Sequence, residues 1–180
     1  TLDDALDSIA TFRGKVAGNV RINAPRLGAA LLVRNVLPLM TERFPDVVVD
    51  LVVEGKLIDI VAAGFDAGVR LVDSIPKDMI TVPFDGPVSF VCVASPAYLH
   101  RFGEPGTPDE LERHRCIGHR VPSGKLYRWE FERAGRALTI ETSGPVTLDD
   151  EELMIEAAIE GLGIAYVASP AAEAALAAGH

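Results

Sequence analysis

Three arginines stand where a strand-like pattern gives way: Arg26 after Val20–Ala24, Arg70 at the end of Asp66–Arg70, and Arg120 after the apolar stretch around Cys116–Ile117. A guanidinium is planar and offers paired donors that match a carboxylate. In open α/β sheets ligands sit beyond the carboxyl ends of strands, where helix N-termini point, so arginines there suit an anionic small molecule. The competing reading is that each arginine pairs with one of the 26 acids of the chain, and spacing alone leaves both open. His114-Arg115-Cys116-Ile117-Gly118-His119 offers two imidazoles and a thiolate within six residues. Zinc wants four ligands in paired spacings, and no second Cys/His pair accompanies this one, so loop and core roles are expected and no metal. Cys92 lies in an apolar strand pattern and reads as a buried thiol. Asp149-Asp150-Glu151-Glu152 could hold a divalent cation, but acids heading a helix are explained by capping and the helix dipole.

Other chemistry finds no parts. No Gly-x-x-x-x-Gly-Lys-Ser/Thr occurs, and no Gly-x-Ser-x-Gly. Gly161-Leu162-Gly163-Ile164-Ala165-Tyr166 begins like a dinucleotide fingerprint, but Tyr166 stands where the third glycine belongs and the motif follows a helix. Without a nucleophile–base pair, no catalytic residue, no cofactor and no enzyme activity are expected.

The 180 residues are enough for one ordinary domain or two small lobes, and 48% hydrophobic with 24% charged residues is the mix of a globular protein. A net charge of −9 is the opposite of a nucleic-acid footprint. The apolar runs are far shorter than the roughly 20 residues of a membrane span, and the acidic start lacks the pattern of a signal peptide. Two cysteines fit a reducing compartment, which predicts a cytoplasmic protein.

These side chains must be positioned by alternating elements. Leu2, Ala5, Ile9, Phe12 and Val16 give two heptads, read as the end of a helix over residues 1–17. Val20–Ala24 predicts a strand, Gly28–Phe44 a helix that Pro38 either kinks or enters in an early turn, and Val47–Val53 a strand buried on both faces. Leu57–Ala62 predicts a short helix ending at Gly64, and Asp66–Arg70 another strand. This β-α-β-α-β order calls for an open parallel sheet. Met79–Val82 and Val88–Ala94 read as strands, Ser95-Pro96 opens a helix, and Trp129–Phe131 with Leu138–Glu141 forms an antiparallel pair about Ala134-Gly135. Asp149 and Asp150 head a helix over Glu151–Glu160, and Ile164–Ala168 is a last apolar strand. The expected organisation is two α/β lobes, residues 18–93 with a return segment 166–180 and residues 94–165. Two crossing strands would join them at a hinge with a cleft.

Several of these segments resemble one family in order. Gly18-Asn19-Val20-Arg21-Ile22-Asn23-Ala24-Pro25 is similar to the opening of the effector-binding domain of LysR-type transcriptional regulators. So are Leu37-Pro38 with Phe44-Pro45-Asp46-Val47, Ile58–Arg70 (IDIVAAGFDAGVR), and Ala94-Ser95-Pro96-Ala97-Tyr98-Leu99. Leu111 with His114 and Cys116-Ile117, Trp129 with Phe131, and Ala157-Ala158 with Gly161–Ala165 complete the series. The resemblance implies two Rossmann-like subdomains joined by two crossing hinge strands, like type 2 periplasmic binding proteins, and a small-molecule effector. It implies effector contacts at Pro25, Arg26 and Leu27, at Glu54, at Arg120, Val121 and Pro122, and at Leu148 and Asp149. Arg26 replaces the common hydroxyl residue and Asp149 the common Asn; the two arginines suit an anionic effector, whereas Glu54 and Asp149 oppose one or select an amine. The resemblance further implies a dimer through the Gly28–Phe44 and Glu151–Glu160 helices, a tetramer in the full-length protein, and DNA contact only through an N-terminal winged helix-turn-helix preceding this chain. The family runs on past His180 to a last strand and helix, so the C-terminal part is expected to be truncated. The other reading of the same fold is a periplasmic-type solute-binding module of a transporter.

Overall fold

The computed structural model describes residues 16–56, 58–70, 79–83, 86 and 88–180; the heptad helix expected over residues 1–17 lies outside these apart from Val16 and Ala17. The chain forms two compact units, Thr1–Gly86 and Pro87–His180.

In the first unit β1 (Gly18–Ala24) lies between β2 (Val47–Val53) and β3 (Ala67–Gly68), all parallel. A parallel pair needs a crossover, and the segment between β1 and β2 supplies it as α1 (Arg26–Leu31), a π-helical turn (Leu32–Val36) and α2 (Leu37–Arg43). Pro38 has no N–H, and its ring crowds the carbonyl four residues earlier; the wider π turn just before it absorbs that conflict, and Pro38 lies in the first turn of α2. Ile22 and Ala24 of β1 pack with Ala29, Leu32 and Val36 of the helical run and with Leu51 and Val69.

Three expectations change here. β2 is not buried on both faces within this unit: Val48 is 61% exposed, and Asp50 is exposed and paired with Arg21 at 2.8 Å. Among the described residues it is an edge strand, and the crossover helix packs on one side of the sheet. The stretch leading to Gly64 is a single turn, not a helix, with Leu57 outside the described residues. Asp59 accepts from the N–H groups of Val61 and Ala62, while Gly64 donates to Val61 O and Phe65 to Ile60 O, the closing bonds of a helix end. So short a segment is capped before it can propagate. Met79–Val82 is not a strand, and Ile80 is 98% exposed.

In the second unit β4 (Phe90–Val93) pairs antiparallel with β9 (Ala165–Ala168). β5 (Gly118–His119) runs parallel to β8 (Thr147–Leu148). β6 (Trp129–Arg133) and β7 (Arg136–Ile140) form a hairpin through Ala134 (φ 52) and Gly135 (φ 74), both left-handed as a two-residue turn requires. Three α-helices join them: α3 (Pro96–Phe102), capped by Ser95; α4 (Glu151–Ile159), capped by Asp150; and α5 (Ser169–Ala177). β9 is buried throughout, with Ala165 and Val167 packed on Met154, Ile155 and Ala158 of α4 and on Ala172 of α5. A second cluster joins Tyr98, Leu111, Cys116, Trp129, Ile164 and Tyr166. Gly163 permits the approach of this strand to the Arg115–Ile117 segment, since a Cβ there would meet Arg115 O at 2.4 Å. β9 and α5 pack within this unit, against β4 and α4.

Candidate functional site

Parallel strands end on the same edge, so β1, β2 and β3 deliver Ala24, Val53 and Gly68 together, tied by Glu54 N–H to Ala24 O (2.9 Å) and Val69 N–H to Asn23 O (2.8 Å). Immediately beyond stand Pro25, Arg26 and Leu27, Glu54, and Arg70. The first unit therefore gathers all five of its expected site residues on one edge. Arg26 opens α1 and is exposed; Glu54 and Arg70 are half-buried. The Arg70 guanidinium donates from Nη1 to Val69 O (2.6 Å) and Asn23 O (3.4 Å), and from Nη2 to Asn23 Oδ1. Burial lowers the Arg70 pKa, and the nearby Glu54 carboxylate opposes the shift. Asn23, which no sequence pattern marks as a site residue, joins this edge through Arg70. It is fully buried, and its Nδ2 has no hydrogen-bond partner among the described residues.

The second unit repeats the geometry in smaller form. β5 and β8 are parallel, and Arg120 N–H donates to Leu148 O at 2.7 Å, so Arg120 and Asp149 leave the same edge. Val121 and Pro122 enter a tight turn, closed by Val121 N–H to Lys125 O (2.9 Å) and Gly124 N–H to Val121 O (2.8 Å). Arg120 Nη1 donates to Gly124 O at 3.0 Å and holds this turn. Asp149 is exposed, while Asp150 accepts the Leu153 N–H at 3.0 Å, as expected of a cap. The five expected residues of this unit thus converge as well.

His119 also belongs to this edge, although its motif predicts only loop and core roles for it. Its ring lies 6.3 Å from that of Tyr127; burial pushes its pKa down, against the opposing pull of Glu151, Asp149 and Asp150. The other members of that motif point elsewhere. His114 Nδ1 is 3.2 Å from the Tyr98 hydroxyl, which accepts the Arg115 N–H at 3.0 Å, and the buried Cys116 thiol is pushed up to about 12 by burial. Among the described residues no group of three or more His, Cys, Asp or Glu side chains could hold a metal ion. Cys92 is exposed instead of buried, on the outward alternation of β4.

Each edge sets an arginine beside a carboxylate, a pattern suited to reversible hydrogen bonding of a polar small molecule. Among the described residues no helix is long and apolar enough to cross a membrane.

Known proteins place this arrangement. The model of the LysR substrate binding domain matches residues 13–180. The uncharacterized HTH-type transcriptional regulator YcaN of Escherichia coli K12 is 40% identical over 162 residues, which cover 90% of this chain and 53% of that protein. A putative transcriptional regulator of Pseudomonas aeruginosa is 39% identical, covering 92% of this chain and 55% of that one. The chain therefore spans about half the length of the curated relatives it matches. The structure of CrgA, a LysR-type regulator from Neisseria meningitidis, superposes with a TM-score of 0.78 at 22% identity, covering 99% of this chain and 60% of CrgA, and so shares the fold. With the family model matched over nearly all its length, this chain belongs to the LysR substrate-binding domain family.

Proposed function

We propose that the chain is the ligand-sensing region of a LysR-type DNA-binding transcriptional regulator acting in the cytoplasm, and that it binds a small organic effector at the strand-end edges. The observation that carries this reading is the delivery of arginine and carboxylate side chains to the carboxyl edges of parallel strands in both units, Arg26, Glu54 and Arg70 in one and Arg120 and Asp149 in the other. The relatives' names as transcriptional regulators favour this over a transporter's solute-binding module. The effector is anionic, because three of those five side chains are arginines. DNA is contacted through a winged helix-turn-helix outside this chain.

Effector binding acts as a population shift: a ligand that prefers one conformation of the dimer draws the protein into it. A useful switch needs a coupling of roughly 1–3 kcal/mol, within reach of one or two charge-assisted hydrogen bonds. The dimer uses two helical faces of matching character. Val33, Arg34, Leu39 and Arg43 are exposed on the α1–α2 run, and Glu152, Leu153, Glu156 and Glu160 on or just after α4. Apolar centres with opposite charge fit an antiparallel pairing of two copies. In the full-length protein dimers assemble into tetramers.

The test is thermal denaturation with a panel of small organic acids. At least one acid raises the Tm of the parent, and Arg120→Ala abolishes that rise while leaving the unliganded Tm within a few degrees. An unchanged rise in Arg120→Ala contradicts the site.

A further inference from the structure

We propose that Asn23, by clasping Arg70, sets the anion selectivity of the first unit's strand-end edge; the inference rests on reading that edge as an effector site. Asn23 is wholly buried on β1, with Val52 and Gly68 as its register partners. A buried amide N–H without an acceptor is costly, so a polar residue at this position points to a task. Its Oδ1 and its backbone carbonyl both accept from Arg70, and the Val69 carbonyl accepts from the same guanidinium. Three acceptors fix the plane of the fork through its Nη1 and Nη2 atoms. The Nε side is engaged by neither Asn23 nor Val69.

The orientation of the amide has an electrostatic consequence. With Oδ1 turned to Arg70, the Asn23 NH2 group is left as a buried donor with no acceptor among the described residues. A partly dehydrated cation and an unsatisfied donor therefore lie side by side at the strand ends, and Glu54 is the carboxylate whose charge acts on that cation. Both features favour an incoming acceptor. An anion reaching this edge meets a guanidinium that is already oriented and already stripped of part of its water, so less freedom is lost on binding than with a mobile arginine. Asn is uniquely suited to this among residues of its size. Asp would orient Arg70 equally well but cancel its field, and an apolar residue would leave the field but release the fork.

The experiment uses the 180-residue chain labelled with nitrogen-15, and reads the Arg70 Nε–H cross-peak, assigned by its disappearance in Arg70→Lys. Acetate, succinate and inorganic phosphate are the probes, and the backbone amide spectrum of each variant verifies folding. In the parent, at least one probe shifts the Arg70 signal in a saturable titration. In Asn23→Ala the signal broadens through faster solvent exchange and the same probe binds at least about tenfold more weakly, the loss of one charge-assisted contact. In the near-isosteric Asn23→Asp the signal stays sharp, yet probe affinity again falls by about tenfold or more because the arginine charge is already matched. Parent-like probe affinity in folded Asn23→Asp, or an unchanged Arg70 signal in folded Asn23→Ala, overturns the proposal. If no probe moves the Arg70 signal in the parent while Asn23→Ala still frees it, the effector-site reading of this edge is what fails, and the clasp is a structural staple without a recognition role.

Discussion

His119 illustrates how one side chain can report on a whole edge. Its folded pKa is depressed by burial, although Glu151, Asp149 and Asp150 pull it upward. The unfolded chain therefore takes up a proton near pH 6.5, before the folded protein does, and the folded state loses stability as pH falls from about 6.5 toward the lower folded value. Above pH 6.5 the contribution is fully present. Urea unfolding of the parent between pH 7.5 and 5 will show this slope, and His119→Gln will flatten it; an identical slope in the variant would assign it to other groups. Gly163 gives a steric prediction: Gly163→Ala places a Cβ 2.4 Å from the Arg115 carbonyl oxygen. Overpacking of this kind costs about 1–3 kcal/mol, read as a lower urea midpoint with an unchanged m-value. The arginines at the edges were legible from sequence because each follows directly on a strand pattern. Asn23 was not, since alternation groups it with the exposed Asn19 and Arg21 on the face opposite Ile22 and Ala24. His119 was obscured by its neighbours His114 and Cys116, whose side chains leave in other directions.

At the scale of elements, capping chemistry was the most readable signal. Asp150 holds the Leu153 N–H and Ser95 Oγ holds the Tyr98 N–H at 3.3 Å, both where a polar residue precedes a helical pattern. Asp150→Ala removes a cap from the helix that carries Met154, Ile155 and Ala158 into the core, and lowers stability by about 1 kcal/mol in urea unfolding. Asp149→Ala, one residue outside the helix, leaves stability within about 0.5 kcal/mol. The hairpin about Ala134-Gly135 was equally legible, because few residues tolerate two successive left-handed positions. Less so was β2, whose run of valines looks the same on an edge as at the centre of a sheet. The single turn before Gly64 also escaped, because Asp59 satisfies the backbone locally and competes with helix propagation.

At the scale of the whole molecule, the order of motifs along the chain identified the family, which no single motif does. The proposed dimer rests on two exposed faces, and Leu39, 65% exposed on α2, is central to one of them. Leu39→Glu sets a negative charge against the acidic α4 face of the partner copy, and sedimentation equilibrium will then give the 19.2 kDa monomer in place of twice that mass. A parent that already sediments as a monomer at the same concentration contradicts the dimer. The proposed function has the strand-end edges receive a small organic anion. Its most direct test is the map of backbone amide shifts on titrating the labelled chain with an acid that raises its Tm. The largest shifts will fall at Ala24, Arg26 and Leu27 around Pro25, at Glu54 and Arg70, and at Arg120 and Asp149. Saturable shifts confined to the β6–β7 hairpin or to α5, with those edges unmoved, would contradict it.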